Sequence, residues 1–536
     1  MKNFFTITCF LTIFIASAQW TSNTDANTLV AESGELDVQA RGTSDGQTYV
    51  VFWKNVGPPT HIELRLQVLD ADGNQTLGSD GMLVSDLISM STSTVIMTSI
   101  VDANDNLYIG ATGTASGDPA FVFKMDTNGN HLWGTNGVEV GSGNVVTVLP
   151  LSAGGAIVSW LSGSGAVMQK FDDNGVAIWP ANQPLTTGAG AAAPGNFFEV
   201  SGGEYIAVFH KLSTGISSFL YAQRYDVDGA PVWGNAVQIS DRATSFIRSY
   251  KGVQDGDVVY MGYYASVGLR FDSYLQRINP DGTLPWGING SDFDVRETDY
   301  EMETEIAFDP SSQFIWSVAT YSNATQSERG EYVQKFDKDS GAREFTDNAK
   351  VVFPIASEKI HAGSLQLNNS TPLFIIKEGL DTGVSPVTLH SVYLDENGDF
   401  AWPEETRPVA TFSASKSRID FTRQAAKQSV AVFAEDKGDG KKIYAQNVAD
   451  DTASIEEFSD ISISFANPIK DKMHIISSSP INAISIYNVL GQQVYSAKYE
   501  GDTKINVTIQ HWNSGIYFMN VFSKEGIQKG IKLIKQ

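Results

Sequence analysis

An all-β fold in two parts is predicted from three observations. Short runs rich in Val, Ile, Tyr and Trp recur along the chain, broken at even intervals by Gly and Asp. One phrase, clearest as YAQRYDVDGAPVWG at 221–234, returns at spacings of 46 to 58 residues, the range in which one repeat is a small antiparallel sheet. From Ile461 that rhythm gives way to a different strand pattern, which continues to the end of the chain.

At 536 residues the chain exceeds what one ordinary core fills, so several domains or a repeat architecture is required. Its one long apolar run, Phe4 to Ala16, follows Lys2 and precedes Ala16-Ser17-Ala18. A charged start, a short apolar stretch and a small-residue site describe a secretory signal over residues 1–18, cleaved between Ala18 and Gln19. A membrane-spanning helix needs about 20 apolar residues, which this run does not reach. An uncleaved anchor is the competing reading. The single cysteine, Cys9, leaves with the signal, so the mature chain is expected to hold no disulfide, thiolate metal site or cysteine nucleophile.

Aligned on its first acid, the repeated phrase reads LQVLDADGNQTLG (66–78), FKMDTNGNHLWG (123–134), QKFDDNGVAIWP (169–180), QRYDVDGAPVWG (223–234), QRINPDGTLPWG (276–287), QKFDKDSGAREF (334–345) and VYLDENGDFAWP (392–403). An eighth, IYAQNVADD from Ile443, breaks off early. Each copy is preceded by a turn and strand of its own, such as DGQTYVVFW, GGEYIAVF or KQSVAVFAE. Two hairpins per unit make four strands. Eight such units over 19–448 suit an eight-bladed β-propeller, with seven blades or an open stack as alternatives. The last unit lacks its fourth strand, and the spare segment NTLVAESG (27–34) is placed to supply it.

Asp-Gly or Asn-Gly between strand patterns is a hairpin signal, because the turn needs a positive φ that Gly and Asn tolerate. A calcium loop would add a bidentate carboxylate at its twelfth position. That position holds Gly81, Gly137, Gln183 and Val237 in the first four copies, so the phrase reads as a turn. Seven residues past the first Asp or Asn stand Leu77, Trp133, Trp179, Trp233, Trp286 and Trp402, and Phe345 falls one later, after an insertion. Because Leu and Phe substitute there, the place is expected to require bulk rather than an indole, packing one blade on the next.

The Gly-x-x-x-Trp ending, with DKDSGAREF closest, resembles the repeat of the pyrroloquinoline-quinone-type propellers, whose tryptophans dock successive blades in eight-bladed rings. It is also similar to the Asp-box of sialidase-type propellers, with a Gly-to-Trp distance differing by one. The fold is what these resemblances imply.

The tail contains SFANPIKDKMHI, INAISIYNVLGQQVYSAKY and INVTIQHWNSGIYFMNVF, with alternating apolar residues and Gly491 and Gly515 at turn positions. By itself this reads as a small Ig-like β-sandwich. It strongly resembles the C-terminal sorting domain of the type IX secretion system of Bacteroidota, through Asn467-Pro468, Ile486-Tyr487-Asn488, Leu490-Gly491-Gln492, Gly515-Ile516-Tyr517 and the closing strand to Lys535. It departs at Phe465-Ala466, where the family shows a Tyr-Pro pair. The resemblance implies periplasmic transit, outer-membrane crossing by the type IX machinery, and removal of residues 461–536 by its C-terminal signal peptidase, with release or attachment at the cell surface. The polar, acidic stretch ADDTASIEEFSD (449–460) fits a linker.

Net charge is −24, unevenly placed: residues from Ile461 onward carry 8 Lys against 4 acids, and residues 19–460 carry 28 basic against 57 acidic groups. Such a surface repels phosphate backbones and excludes nucleic acid as a partner. No P-loop, HExxH or paired-Cys motif occurs. Ser413-x-x-Lys416 matches an acyl-transfer pattern without its partner motifs, and the seven His are scattered from His61 to His511. No cofactor or catalytic residue is assigned. A quinone-dependent dehydrogenase of the resembled family would use a Cys pair that the mature chain lacks. A sialidase would need an Arg cluster, which scattered residues such as Arg65, Arg224, Arg270 and Arg277 do not reveal. The expectation is a secreted or surface scaffold for adhesion to a polymer or protein, with a glycan-active hydrolase on a sialidase-like propeller as the alternative. Contacts are expected on the uneven loops between second and third strands: 54–63, 112–119, 264–272, 321–331 and 377–386.

Overall fold

The computed structural model describes residues 20–32, 37–57, 61–88, 96–113, 117–163, 165–186, 190–213, 217–246, 248, 250–380, 385–423, 428–448, 463–489, 492–523 and 528–536. Ala18, Gln19, Gly491 and the 449–460 stretch lie outside them. The chain divides into two compact units, one ending at Val448 and one beginning at Ala449.

Among the described residues of the first unit the strand runs pair into eight antiparallel sheets, seven built on four successive strands and the eighth on three joined by an amino-terminal one; the fourth sheet carries one further short strand. Sheet one is Val38–Gly42, Thr48–Gly57, His61–Leu69 and Met82–Ser85. The first strands of sheets two to eight are Ile96–Val101, Asn144–Pro150, Ala192–Val200, Lys251–Asp255, Tyr300–Phe308, Lys359–Asn368 and Lys416–Arg423. In sheet eight the fourth place is taken by Thr28–Ala31, from the 27–34 segment, paired antiparallel with Lys441–Val448.

Second strands such as Leu107–Thr112 are buried at every residue, which explains why they read as continuous apolar runs rather than alternating ones: other sheets cover both faces. The apolar clusters lie between successive sheets. One packs Tyr49 and Val51 of sheet one on Leu107 and Ile109 of sheet two, and another packs Leu373 and Ile375 of sheet seven on Ala431 and Phe433 of sheet eight. A further cluster joins Val430 and Val432 of sheet eight, with Val30 from the amino-terminal strand, to Val38, Val50 and Phe52 of sheet one. The cores therefore run in a closed cycle.

Each repeated Asp caps its own turn. Asp126 Oδ1 accepts from the backbone N–H of Asn128 (2.9 Å) and Asn130 (2.8 Å), Asp172 from Asn174 (2.9 Å) and Val176 (2.8 Å), and Asp226 from Asp228 (3.0 Å) and Ala230 (2.9 Å). Gly129, Gly175 and Gly229 complete these turns at φ of +79°, +78° and +82°. In each, one carboxylate oxygen is used by main-chain amides, which is what an Asx-type turn requires.

The aromatic positions reach from one sheet to the next. Trp133 is 3% exposed, and its Nε1 donates to the Asp173 carbonyl at 3.0 Å, in the turn of the following sheet. Trp179 does the same to Val227 (3.2 Å), Trp233 to Pro280 (3.1 Å) and Trp286 to Asp339 (3.0 Å). The turn glycine makes room: an added Cβ at Gly175 would lie 2.8 Å from Trp133, and one at Gly229 2.9 Å from Trp179. Phe345 covers Gly398 and Leu77 covers Gly129 in the same way. Trp402 is buried among Tyr444, Phe433 and Val448 of sheet eight. The expectation of bulk alone is therefore too narrow, because at four of these places the indole N–H is also used.

The sequence reading passed over two parts of this arrangement. Trp20 Nε1 donates to the Ala71 carbonyl at 2.9 Å, and its ring lies over Gly73, so the amino-terminal segment brings sheet eight its tryptophan as well as its strand. A buried Gln three residues before the turn Asp orders the aromatic's backbone: Gln169 Oε1 accepts from Trp179 N (3.1 Å) and Gln223 Oε1 from Trp233 N (3.2 Å). In sheet eight Gln446 instead donates to the Thr21 carbonyl at 2.7 Å.

The second unit is a five-stranded antiparallel sheet built on two long strands, Lys472–Asn488 and Gln493–Thr508, with Ile463–Ser464, Gly515–Ser523 and Gln528–Lys535. Register shifts around Ile481 bend the long pair. Alternate residues Met473, Ile475, Ile484, Ile486, Met519 and Val521 form its core.

Candidate functional site

The inner strands of the first unit do not run regularly. Register shifts interrupt Asn144/Thr147, Ala193/Asn196, Met302/Glu305, Ala362/Gln366 and Ser417/Asp420, each a bulge in the first strand of its sheet. Val145, Glu303 and Arg418 sit in these bulges at φ of +56°, +54° and +53°. A left-handed non-glycine residue costs about 1–3 kcal/mol, and bulges of this kind re-aim side chains.

Three of the bulges, in sheets six, seven and eight, line a cavity of about 600 Å³. Its walls include Arg248, Arg329, Lys377, Arg418, Glu303 and Glu305, with Tyr250, Tyr264 and His361. Arg418 and Ile419 also face a second space of about 510 Å³ beside Asp37, Arg41 and Met97. Arg248 and Tyr250 face a third, of about 260 Å³, whose wall is apolar at Ile100, Val148, Phe197 and Phe246. These spaces share wall residues; charged groups of both signs line the first two, and the third is largely apolar.

His361 Nδ1 lies 2.8 Å from Glu331 Oε1, both side chains nearly inaccessible. Burial alone would lower the imidazole's pKa, but the Glu331 carboxylate outweighs it and holds the ring up at about 9. Glu305 is raised above the usual carboxylate range, chiefly by burial, and its Oε2 is buried with no hydrogen-bond partner among the described residues. Arg248 faces Glu303 at 3.5 Å. Among the described residues no hydrogen bond or ion pair engages the guanidinium groups of Arg329 and Arg418; burial raises the Asp37 carboxyl and the Arg418 charge, at longer range, pulls it partly back.

The cavity lies toward the loops that join second and third strands, through Arg329 at the start of a third strand and Lys377 near the end of a second. Tyr300, at the start of its inner strand, pairs with Ser322 at the end of the second, so the second-to-third-strand loops lie beside it. Arg329 and Lys377 come from two of the stretches singled out as contact loops, 321–331 and 377–386. The opposite side is bound together by turns: Ser152 N and Oγ donate to Glu199 of the next sheet (2.7 and 2.9 Å), and Ser201 N and Oγ to Asp257 (2.8 and 3.0 Å).

The scattered arginines of the sequence do not gather. Arg224 pairs with Glu204 and donates to the Pro280 carbonyl, Arg277 donates to the Lys338 carbonyl, Arg270 holds Asp272 and Arg65 holds Glu63. Those that do meet are Arg248 in a connection, Arg329 at the start of the third strand of sheet six and Arg418 in the first strand of sheet eight, with no local motif. Lys416 of the Ser-x-x-Lys pattern is fully buried, 2.7 Å from Glu435 and donating to the Val387 carbonyl (2.8 Å), a structural setting with no access for a substrate. Among the described residues no cluster of His, Cys, Asp or Glu is suited to a metal ion.

In the second unit Asn467 fastens the final strand: its Nδ2 donates to the Lys532 carbonyl (3.0 Å) and its Oδ1 accepts from Ile534 N (2.9 Å). Pro468 follows it, and Ile469 bridges Lys535 in parallel. Asn488 closes a turn with Gln492, whose N–H it accepts at 3.0 Å, and Tyr487 precedes it opposite Phe518. Gly515 pairs with Lys535, and the Tyr517 hydroxyl donates to the Asn513 carbonyl at 2.9 Å.

An all-β chain of repeated four-stranded sheets with a separate carboxy-terminal unit is thus the class defined here. Residues 464–536 match the secretion system C-terminal sorting domain. That match marks the chain for export by the type IX secretion system to the cell surface or extracellular space. Among the described residues no helix is long and apolar enough to cross a membrane. A search of curated proteins finds no match. Solved structures similar to the chain include puromycin hydrolase (12% identity, TM-score 0.40, covering 78% of this chain and 61% of that one) and prolyl oligopeptidase B from Galerina marginata (12%, 0.41, 76% and 55%). The endo-arabinase from Bacteroides thetaiotaomicron is a further one (10%, 0.30, 49% and 96%). The chain spans less than two thirds of the first two, and likenesses this distant carry no argument about chemistry.

Proposed function

We propose that residues 19–448 form an eight-bladed β-propeller closed by the 28–31 strand, a secreted or surface scaffold that binds a polymer or protein ligand. Residues 1–18 act as the signal, 449–460 as linker and 461–536 as the sorting unit, a small Ig-like sandwich recognised by the type IX machinery and its peptidase. The cavity inside the inner strands carries the reading: three strained or bulged strands converge on it, while the far side is tied together by turns. Loops on a regular frame beside such a hollow are where ligands are met. A glycan and protein array probed with the full chain tests it, with saturable binding to a defined ligand expected; the absence of any binding overturns it. A hydrolase is the second reading, favoured by Glu303 and Glu305 lining one wall, and cleavage of an arrayed glycan would decide for it.

A further inference from the structure

We infer that the cavity between the inner strands of sheets five to eight takes a sugar acid, the carboxylate-bearing residue of an acidic glycan. This rests on the reading that the central cavity is the ligand site, and it names the ligand's chemistry.

The charge distribution is the first observation. Residues 19–460 carry 28 basic against 57 acidic groups, yet around this cavity Arg248, Arg329, Lys377 and Arg418 outnumber Glu303 and Glu305. Cations gathered in a recess with low-dielectric walls focus a positive potential there and draw in an anion from an otherwise repelling surface. Among the described residues the Arg329 and Arg418 guanidinium groups make no hydrogen bond or ion pair, Arg418 acting only at longer range on Asp37, so they are open to bidentate contact with a carboxylate. The second observation is that the carboxylates of Glu303 and Glu305 line the same cavity as the cations. A ligand filling it meets acceptors as well as guanidinium groups, so it should bring donors of its own. A sulfate would answer the arginines and leave these carboxylates unmet. A sugar acid supplies a carboxylate and several hydroxyl donors within one ring. The third observation is the wall itself. Tyr250 and Tyr264 stand beside the charges, and apolar lining is confined to Ile360, Ala362 and Ile419, which gives little for the side chains of a peptide.

Arg418 permits a clean test because its backbone is left-handed at φ +53°. Arg418→Gly removes the guanidinium and relieves the strain together, so lost binding cannot be ascribed to lost folding. The full chain would be titrated calorimetrically with oligomers of glucuronate, galacturonate and mannuronate, with their neutral hexose counterparts, and with poly-glutamate. At least one uronate series should bind while its neutral counterpart does not, with affinity falling tenfold or more in Arg418→Gly and in Arg329→Ala, and a melting temperature for Arg418→Gly equal to or above the parent's. Equal binding of acidic and neutral oligomers, or uronate affinity unchanged in both variants, would overturn the inference. Binding of poly-glutamate in place of uronates would assign a peptide instead and overturn it too. A chain that binds only neutral glycans sinks this inference and spares the scaffold reading. One that binds nothing on the array sinks both.

Discussion

Trp20 Nε1 donates to the Ala71 carbonyl at 2.9 Å, repeating between the amino-terminal segment and the turn of sheet one the bond that Trp133 makes to Asp173 at 3.0 Å between consecutive sheets. The same amino-terminal segment gives Thr28–Ala31 to sheet eight, and Asn27 Nδ2 donates to Gln446 Oε1 at 2.9 Å. The residues that close the cycle are thus the earliest of the described chain and the latest of the repeats.

Trp20→Ala should therefore weaken the closure specifically. Full burial of such a ring is worth about 3–5 kcal/mol on truncation, and Trp20 is half-buried, so about 2–4 kcal/mol is expected. Urea unfolding of the variant reads it. A midpoint equal to the parent's would show that Trp20 does not lock the ends.

Two turn glycines separate strain from packing. Gly134 has φ +79° and open space beyond it, so Gly134→Ala pays only the left-handed backbone, about 1–2 kcal/mol. Gly175, at φ +78°, meets Trp133 at 2.8 Å, and Gly175→Ala should cost clearly more. Equal losses in thermal melts would argue that Trp133 yields freely.

Gln169→Leu removes the acceptor that serves both Lys170 N (2.9 Å) and Trp179 N (3.1 Å). Stranding buried main-chain donors costs about 1–3 kcal/mol each, and hydrogen exchange at Trp179 should quicken. Unchanged exchange there would contradict the role given to the buried glutamines.

Asp292 and His361 should each draw stability down as pH rises, while His210, lowered by burial to about 4, works the other way up to about 6.5. Burial, with Asp272 and Asp294 nearby, pushes Asp292 up to about 7 against the partial relief of Arg343 and Arg242, and His361 is held at about 9. Both groups bind protons more tightly folded than unfolded, where carboxyls titrate near about 4 and imidazoles near about 6.5. The Asp292 contribution is complete below about 4 and is lost as pH climbs through 7; that of His361 is lost between about 6.5 and 9. Asp292→Asn should flatten the decline between pH 5 and 7, measured as urea midpoints. A decline as steep as the parent's would remove Asp292 from the account.

The strands, the turns and the tryptophan places were legible because each is a local demand: period-two or continuous apolar runs, a positive φ answered by Gly129 or Gly175, bulk at a fixed offset. The spare segment at 27–34 was legible by counting, since a repeat lacking a strand points to one elsewhere. Trp20 was missed because it lies ahead of that segment with no turn phrase before it. A Trp eight residues before Thr28, where Trp133 stands five before Val138, was the signal available.

The sequence by itself determined the repeat, its Asp-capped turns and the sorting motifs around Asn467 and Tyr517, because these depend on neighbours within a few residues. Only the tertiary structure decided which charges meet. Arg248, Arg329 and Arg418 are separated by 80 or more residues and come from a connection, the start of a third strand and a bulged first strand that meet at one hollow, while Arg65, Arg224, Arg270 and Arg277, no less conspicuous in the chain, are spent on carboxylates and carbonyls of their own or adjoining sheets. Convergence of this kind follows from how sheets pack around a centre, and no local pattern of residues encodes it.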